Sequence, residues 1–178
     1  MTRHGRPPGT AFSGLFQDWT ANRGRPGIQV LLVLFRAAQA ARGEGGTLRR
    51  LAAAPVMVAY RLVALTLFSV DVPVSTAVGR GLAIHHGMGL VVNRATRIGE
   101  HVTLRHSTTL GGRRTDDDCP VIESHVDVGP NSVLLGRITV GERALIGAGS
   151  VVLHDVPAAA SVAGNPARIL PSRSGAPC

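Results

Sequence analysis

The chain has 178 residues, a length typical of one compact domain, and 44% of them are hydrophobic. Only 3% are aromatic and 17% are charged, so the core must be aliphatic, and the composition fits neither a disordered chain nor a coiled coil. Two cysteines exclude a disulfide-rich scaffold and a four-cysteine zinc site. The formal net charge is +8, and all 19 basic residues are arginines.

The excess of basic charge belongs to the N-terminal part of the chain. Residues 1–70 hold nine arginines and two acidic residues, whereas residues 71–178 hold ten and nine. Such a region is typical of a solvated surface, an anionic-membrane contact or a nucleic-acid site. Because aromatic side chains for base stacking are scarce and no helix-turn-helix or zinc-finger pattern occurs, we predict no nucleic-acid partner. Peripheral membrane contact stays an alternative for this region.

Two apolar stretches, over 28–41 and 51–69, predict helices. The first is too short to span a bilayer, and the second carries Pro55 and Arg61. We therefore interpret both as helices that pack on each other or on a partner subunit. The N-terminus is basic and proline-rich with no apolar segment directly after it, which argues against a secretory signal and predicts a cytoplasmic protein.

After residue 70, aliphatic residues recur every six positions. A six-residue period predicts a β-solenoid, in which each aliphatic residue stacks on its counterpart in the neighbouring coil. Small or β-branched residues occupy the fifth position of the repeats. A weaker set, two residues out of phase, comes first at Val78, Ile84 and Leu90. The positions in phase are Ile98, Leu104, Leu110, Ile122, Val128, Leu134, Val140, Ile146 and Val152.

The repeats divide the chain into three parts. Residues 1–70 form the predicted helical region, 71–157 the solenoid, and 158–178 a C-terminal turn and tail, because Pro157 follows the last repeat. Residues 111–121, with the sequence GGRRTDDDCPV, lack the aliphatic position, and we interpret them as a loop extruded from one coil. Loops on a rigid scaffold are common places for ligands to bind.

Four segments carry a more specific pattern: VDVPVSTAVGRGLAIHHGMGLVV at 70–92, LRHSTTLGG at 104–112, IGAGSVVLHDVP at 146–157 and AGNPARIL at 163–170. With these segments the chain resembles the hexapeptide-repeat acyltransferases, and within them the serine acetyltransferase type. The resemblance implies a mainly β fold, a left-handed parallel β-helix, assembled as a homotrimer. It also implies acetyl-CoA as the acyl donor and an active site between neighbouring subunits.

His86 stands at the family's catalytic-base position, and Asp71 matches the acidic partner of that base. An imidazole suits the removal of a proton from an acceptor hydroxyl as that hydroxyl attacks a thioester. A carboxylate would orient the ring and stabilise the imidazolium. The histidines and Cys119 show no usual zinc spacing, so we predict no metal.

The resemblance also implies residues that bind CoA. Gly112, Pro130 and Ala148 match positions along the pantetheine arm, although a need for a small residue at a corner explains Ala148 equally well. Arg168, together with Arg113 or Arg114, is a candidate for the CoA phosphates.

The acceptor positions depart from the serine acetyltransferase pattern. His85 stands where that family has an aspartate, and Asp118 and Cys119 stand where it has an Arg-His pair. An aspartate in place of arginine would repel an amino-acid carboxylate, whereas the run 116–118 suits sugar hydroxyls or an amine. The chain is similar in this respect to serine-acetyltransferase-like proteins of exopolysaccharide pathways. We therefore predict an O-acetyltransferase that acts on the hydroxyl of a small metabolite or sugar, with these three residues at the acceptor.

Two alternatives stay open. One is a serine O-acetyltransferase of cysteine biosynthesis. The other is a non-catalytic β-helical scaffold or membrane-docking protein, against which the presence of both Asp71 and His86 argues. A cysteine-synthase partner is disfavoured, because the family members that bind this enzyme usually end in isoleucine, and this chain ends in Cys178.

Overall fold

The computed structural model describes residues 14–42 and 47–171. A 3₁₀ turn at Thr20–Asn22 precedes two helices, α1 (Pro26–Arg42) and α2 (Thr47–Thr66). These two helices confirm the interpretation of the apolar stretches. None of the described helices combines the length and the apolar character needed to cross a membrane.

Short strands make up the described chain after α2. They are β1 (Val70–Asp71), β2 (Ala77–Val78), β3 (Ala83–His85), β4 (Leu90–Val92), β5 (Arg97–Ile98), β6 (Thr103–Arg105), β7 (Thr109–Gly111), β8 (Val121–Ile122), β9 (Asp127–Val128), β10 (Val133–Leu135), β11 (Thr139–Val140), β12 (Leu145–Ile146), β13 (Val151–Val152), β14 (Ser161–Gly164) and β15 (Ala167–Ile169).

The strands form three sheets that wind into a parallel β-solenoid of about five turns. Sheet A has the order β1-β4-β7-β10-β13, sheet B β2-β5-β8-β11, and sheet C β3-β6-β9-β12-β14-β15. The chain passes from A to B to C in each coil, and neighbouring coils pair in parallel. The predicted solenoid is confirmed.

The interior consists of the predicted aliphatic positions. All nine in-phase residues are at most 5% exposed. Ile122 pairs with Val140, eighteen residues later, whereas Val78 pairs with Ile98, twenty residues later. The two additional residues lie in the turn between β3 and β4, since Ile84 and Leu104 keep the twenty-residue spacing whereas Val92 and Leu110 are eighteen residues apart. The out-of-phase set in the sequence therefore marks a widened turn in the first coil.

Polar side chains from the N-terminal region close the open edge of the first coil. The Asp18 carboxylate accepts a hydrogen bond from the Leu82 amide at 2.9 Å. The Asn22 amide group donates to the Leu82 carbonyl at 2.7 Å, and its oxygen accepts from the Ile84 amide at 2.9 Å. Arg25 donates to the Ile84 carbonyl at 3.0 Å. Backbone groups that would form an exposed sheet edge are thus satisfied within the chain.

Arg36 is the buried centre of this cap. Its Nε donates to Asp18 at 2.7 Å, and the two side chains are only 5% and 2% exposed. Its remaining nitrogens donate to the carbonyls of Val78 and Gly79 at 2.9 and 2.6 Å. Two arginines of the basic region, Arg25 and Arg36, therefore bind the solenoid backbone rather than solvent or a membrane.

The C-terminal boundary differs from the prediction. Val156 still bridges Val140 in parallel, and β14 pairs in parallel with β12, so the coil that contains Pro157 is complete. Strand β15 then folds back antiparallel on β14. The prediction that residues 158–178 form only a turn and tail is therefore wrong for 161–169, because Pro157 lies at a corner of the last coil. The predicted segments 1–13 and 172–178 lie outside the described residues.

Candidate active site

The widened turn between β3 and β4 presents His86 to solvent. Its backbone is in the left-handed region, with φ of +66°. The later corners of this stack each have one such residue, as at Ser107 (+54°) and Asn131 (+58°), whereas this turn also has Gly87 (+54°) and Gly89 (+72°) in the left-handed region. Gly89 is the residue that lies against Ser107, so the left-handed backbone at His86 belongs to the widened turn and not to every corner.

The turns that join sheet C to sheet A stack on one another, and we call this stack the histidine corner: His86, His106, Pro130 and Ala148. Neighbouring coils lie about 4.8 Å apart, so the corner extends roughly 14 Å from the first of these residues to the last. The sequence-predicted CoA contacts Pro130 and Ala148 therefore share a corner with the predicted base. Three backbone hydrogen bonds join the turns: Ser107 N to Met88 O, 2.8 Å; Asn131 N to His106 O, 3.1 Å; and Gly149 N to Pro130 O, 2.8 Å.

Arg168 lies two strand spacings beyond the last coil of the histidine corner. It is an exposed residue of β15, paired with Ala163 of β14. Ala163 in turn lies against Gly147, next to Ala148. Arg168 is thus an exposed cation at the end of the solenoid opposite His86, and its predicted contact with the CoA phosphates stays a prediction.

Asp71 lies at the start of the first coil and His86 at its end, and the backbones beside them touch. The Gly89 amide donates to the Ser69 carbonyl at 2.9 Å. The Asp71 carboxylate, however, accepts a hydrogen bond from Arg61 of α2 at 2.5 Å. Among the hydrogen bonds of the described residues, none joins Asp71 to His86. The orienting role of Asp71 stays a prediction, and Arg61 is a neighbour that the sequence reasoning did not identify.

His85 is half-buried at the end of β3, in register with Arg105 of β6. Arg105 forms an ion pair with Asp127. Burial, followed by the nearby cations Arg25 and Arg105, lowers the pKa of His85 from its usual value. His85 is therefore neutral at pH 7, and it offers one hydrogen-bond donor and one acceptor where an aspartate would offer a charge.

His106 is a residue of this corner to which the sequence analysis assigned no role. Its ring centroid lies 6.1 Å from that of His86, with an interplanar angle of 75°. Its Nδ1 atom is buried, and among the described residues it has no hydrogen-bond partner. The sequence could have predicted that the two histidines are neighbours, because twenty residues separate His86 from His106, the same spacing as between the paired strands of the first two coils.

The remaining predicted site residues lie at a different corner. Residues 112–120 form the extruded loop between β7 and β8, which joins sheet A to sheet B. The loop borders a groove of about 170 Å³, below the roughly 300–1,000 Å³ of typical ligand pockets. The groove is lined by Arg113, Arg114, Asp118, Leu135, Gly136, Arg137, Ile138 and Leu153.

Gly112 has a structural reason for being glycine. A Cβ atom at this position would lie 2.1 Å from the carbonyl oxygen of Thr115. Any side chain would therefore force the loop to move, whether or not Gly112 contacts CoA. Arg113 is exposed at the rim of the groove and is accessible to a phosphate.

The side chain of Cys119 is buried beneath the extruded loop. The residue is 5% exposed, and its thiol donates to the carbonyl of Asp116 at 3.2 Å. Burial, and then the neighbouring acidic residues, raise the pKa of the Cys119 thiol. The side chain packs beneath the loop, and the predicted contact between Cys119 and the acceptor stays a prediction. Asp118 is half-buried, with Arg137 at 4.0 Å.

Within a single chain, the predicted site residues therefore form two separate clusters. The histidine corner precedes the strands of sheet A, and the extruded loop follows one of them. The longest strands of this sheet have three residues, about 10 Å, so the two clusters lie on opposite edges of the same face.

No family model matches the chain. It is 41% identical over 123 residues to the putative colanic acid biosynthesis acetyltransferase WcaB of Escherichia coli K12, covering 68% of this chain and 76% of that protein. Serine acetyltransferase 4 of Arabidopsis thaliana is 38% identical over 106 residues, covering 58% of this chain and 30% of that protein.

Solved structures agree with the sequence relatives. Soybean serine acetyltransferase complexed with serine matches with a TM-score of 0.72 and 31% identity, covering 90% of this chain and 69% of that chain. A serine acetyltransferase in complex with CoA matches with a TM-score of 0.73 and 28% identity, covering 90% and 69%. The chain belongs to the serine acetyltransferase-like family of hexapeptide-repeat acetyltransferases.

The fraction of each relative's length that this acetyltransferase spans differs from one relative to the next. It spans three quarters of WcaB but less than a third of the plant protein and 57% of the Brucella abortus serine acetyltransferase structure. Within residues 14–42 and 47–171 of the acetyltransferase, no three His, Cys, Asp or Glu side chains form a group that could hold a metal ion.

Proposed function

We propose that this acetyltransferase moves an acetyl group from acetyl-CoA to the hydroxyl of a sugar or another small metabolite, with His86 as general base. The observation that carries the proposal is the histidine corner, which places an exposed imidazole in line with Pro130 and Ala148. Arg168 lies two strand spacings beyond Ala148, at the same end of the solenoid, where it would meet the CoA phosphates. The related structure in complex with CoA supports acetyl-CoA as the donor.

The proposed reaction is a direct attack without an acyl-enzyme. The acceptor oxygen attacks the thioester carbonyl carbon while His86 takes the hydroxyl proton. The bond between that carbon and the CoA sulfur then breaks, and the proton passes from His86 to the thiolate, giving the acetyl ester and CoA. Backbone amides of the coils are suited to stabilise the oxyanion. The buried thiol of Cys119 takes no part, since its raised pKa keeps it protonated.

The acceptor assignment rests on the charges of the site. His85 is neutral where an aspartate would bind an amino group, and Asp118 would repel a carboxylate. The relation to WcaB, a putative acetyltransferase of colanic acid biosynthesis, supports a sugar acceptor. Serine is the second candidate, because a related structure is complexed with serine.

An acceptor panel tests this assignment. Release of free CoA thiol from acetyl-CoA would be measured with L-serine, L-homoserine, nucleoside-diphosphate sugars and amino alcohols. We expect release with a sugar and none above background with L-serine. Efficient release with L-serine alone would make the chain a serine O-acetyltransferase. Failure of acetyl-CoA to bind would favour the scaffold alternative.

We further propose that the chain assembles as a homotrimer through sheet A. The outward column of this sheet is nearly free of charge after Asp71, consisting of Val91, Thr109, Val133 and Val151. Neighbouring subunits on this face would bring the extruded loop of one chain to the histidine corner of the next. This arrangement would complete a groove that is small in one chain.

Charge on sheet A is expected to break the assembly. Val133→Asp would desolvate a carboxylate in the subunit contact, so the mass measured by light scattering should fall from three chains towards the 18.5 kDa of one. Val121→Asp places the same charge on sheet B, where Val121 is 38% exposed, and should leave the mass unchanged. A wild-type monomer, or a Val133→Asp trimer, would contradict the proposed contact.

A further inference from the structure

His106 is a half-buried residue beside the proposed base, and its ring carries a buried polar atom for which the fold gives no reason. Its Nδ1 atom has no hydrogen-bond partner among the described residues, although most buried polar atoms in proteins have one. The carbonyl of His106 accepts from the Asn131 amide, so the backbone of the corner is satisfied without the ring. An apolar side chain would serve the packing of this corner as well, which indicates a role in the site.

The distance between the two rings suits a pair of imidazoles that act together. Centroids 6.1 Å apart are slightly too distant for a direct nitrogen–nitrogen hydrogen bond. One water or acceptor hydroxyl could bridge Nε2 of His106 to the His86 ring, whereas Nδ1 of His106 is buried and out of reach of water. Asp71, the expected partner of His86, is bonded to Arg61. His106 is therefore the imidazole neighbour that the described chain offers to His86.

We propose that His106 is a positioning residue for His86, which it holds through a bridged hydrogen bond, and that His106 must be neutral for His86 to accept a proton. The inference rests on the proposed function of His86. When His86 takes the acceptor's proton it becomes an imidazolium. A second positive charge about 6 Å away would oppose that step.

The other charged and titratable groups around His106 are limited in number. The coil before it contributes His85 and His86, its own strand contributes Arg105, and the coil after it contributes Asp127. Arg105 and Asp127 are paired with each other, and His85 is neutral at pH 7. The protonation state of His106 is thus the variable charge nearest to His86 on the following coil.

Two substitutions separate positioning from packing. His106→Leu removes the hydrogen bond and should lower kcat roughly ten- to hundredfold with the KM for acetyl-CoA unchanged. His106→Gln keeps a hydrogen-bonding group that does not titrate, so it should recover most of kcat at pH 8. As the pH is lowered, the fall of kcat in His106→Gln should be described by the binding of one proton. In the wild type it should be described by the binding of two protons.

Histidine titration by ¹⁵N NMR tests the coupling without any acceptor. We expect protonation of either ring to shift the ¹⁵N resonances of the other, because their centroids are 6.1 Å apart. Either His106→Gln or His86→Gln should leave one simple midpoint for the remaining ring. His101→Gln is the matched control: His101 stacks on His125 at a different corner, with centroids 5.2 Å apart, so this change should leave His86 unaffected.

The outcomes distinguish the inference from the function on which it rests. Independent titration of the two rings, or a His106→Leu enzyme with normal kcat, would overturn the inference even if His86 is essential. A wild type inactive towards every acceptor would refute the proposed function, while the titration would still decide whether the two rings are coupled.

Discussion

Replacing His86 with alanine is expected to lower kcat at least about a hundredfold while leaving acetyl-CoA binding intact. The ring is exposed at the corner, so its removal creates no cavity, and the aliphatic ladder beneath it is unchanged. Without the imidazole, the acceptor hydroxyl must attack without losing its proton to a base. Steady-state rates of thiol release and calorimetric binding of acetyl-CoA measure the two effects separately.

The matched control is His101→Ala. His101 is also an exposed histidine at a corner, with φ of +55°, but it faces the junction of sheets B and C. We expect its kcat to stay within about twofold of the wild type. A drop of less than threefold in His86→Ala, with the assembly intact, would remove His86 from the proposed mechanism.

Replacing Asp18 with alanine is expected to cost about 3–5 kcal/mol of the free energy of unfolding. The change leaves the Arg36 guanidinium, in a side chain 5% exposed, without its carboxylate, and leaves the Leu82 amide without its acceptor. Carbonyl contacts to Val78 and Gly79 still hold part of the arginine, which favours the lower end of the range. Urea unfolding at one fixed protein concentration measures the loss.

Glu100→Ala is the control for Asp18→Ala. Glu100 pairs with Arg80 at 2.9 Å, but these side chains are 48% and 64% exposed, so solvent screens the pair and its loss should cost about 0–1 kcal/mol. If the two variants unfold at the same urea concentration, the buried cap does not stabilise the first coil as the hydrogen bonds indicate.

The solenoid was predictable because the same packing requirement recurs in every coil. A buried ladder demands an aliphatic residue at every sixth position, and a period of this kind is visible without knowledge of long-range contacts. The break at Val78, Ile84 and Leu90 was also visible, but only the pairing of the strands shows that it widens the turn at His86. The C-terminal error has the same origin, since Pro157 interrupts the period while the coil continues.

The cap and the surroundings of the site depend on contacts that no local pattern reports. Asp18 and Asn22 bind backbone groups that come sixty or more positions later in the sequence. Arg61 comes from a helix that the sequence identified only by its apolar character. The role of Cys119 at the acceptor was predicted from its position in a motif. Its burial depends on the conformation of the extruded loop, which the motif does not report.

The most direct test of the account uses acetyl-CoA labelled with ¹³C in the acetyl group. Wild type and His86→Ala would each be incubated with the sugar acceptors and L-serine, and the product would be followed by NMR. We predict a ¹³C acetyl ester on a sugar hydroxyl, formed by the wild type and reduced at least about a hundredfold in the variant. Transfer to L-serine alone, or equal transfer by both proteins, would contradict the account.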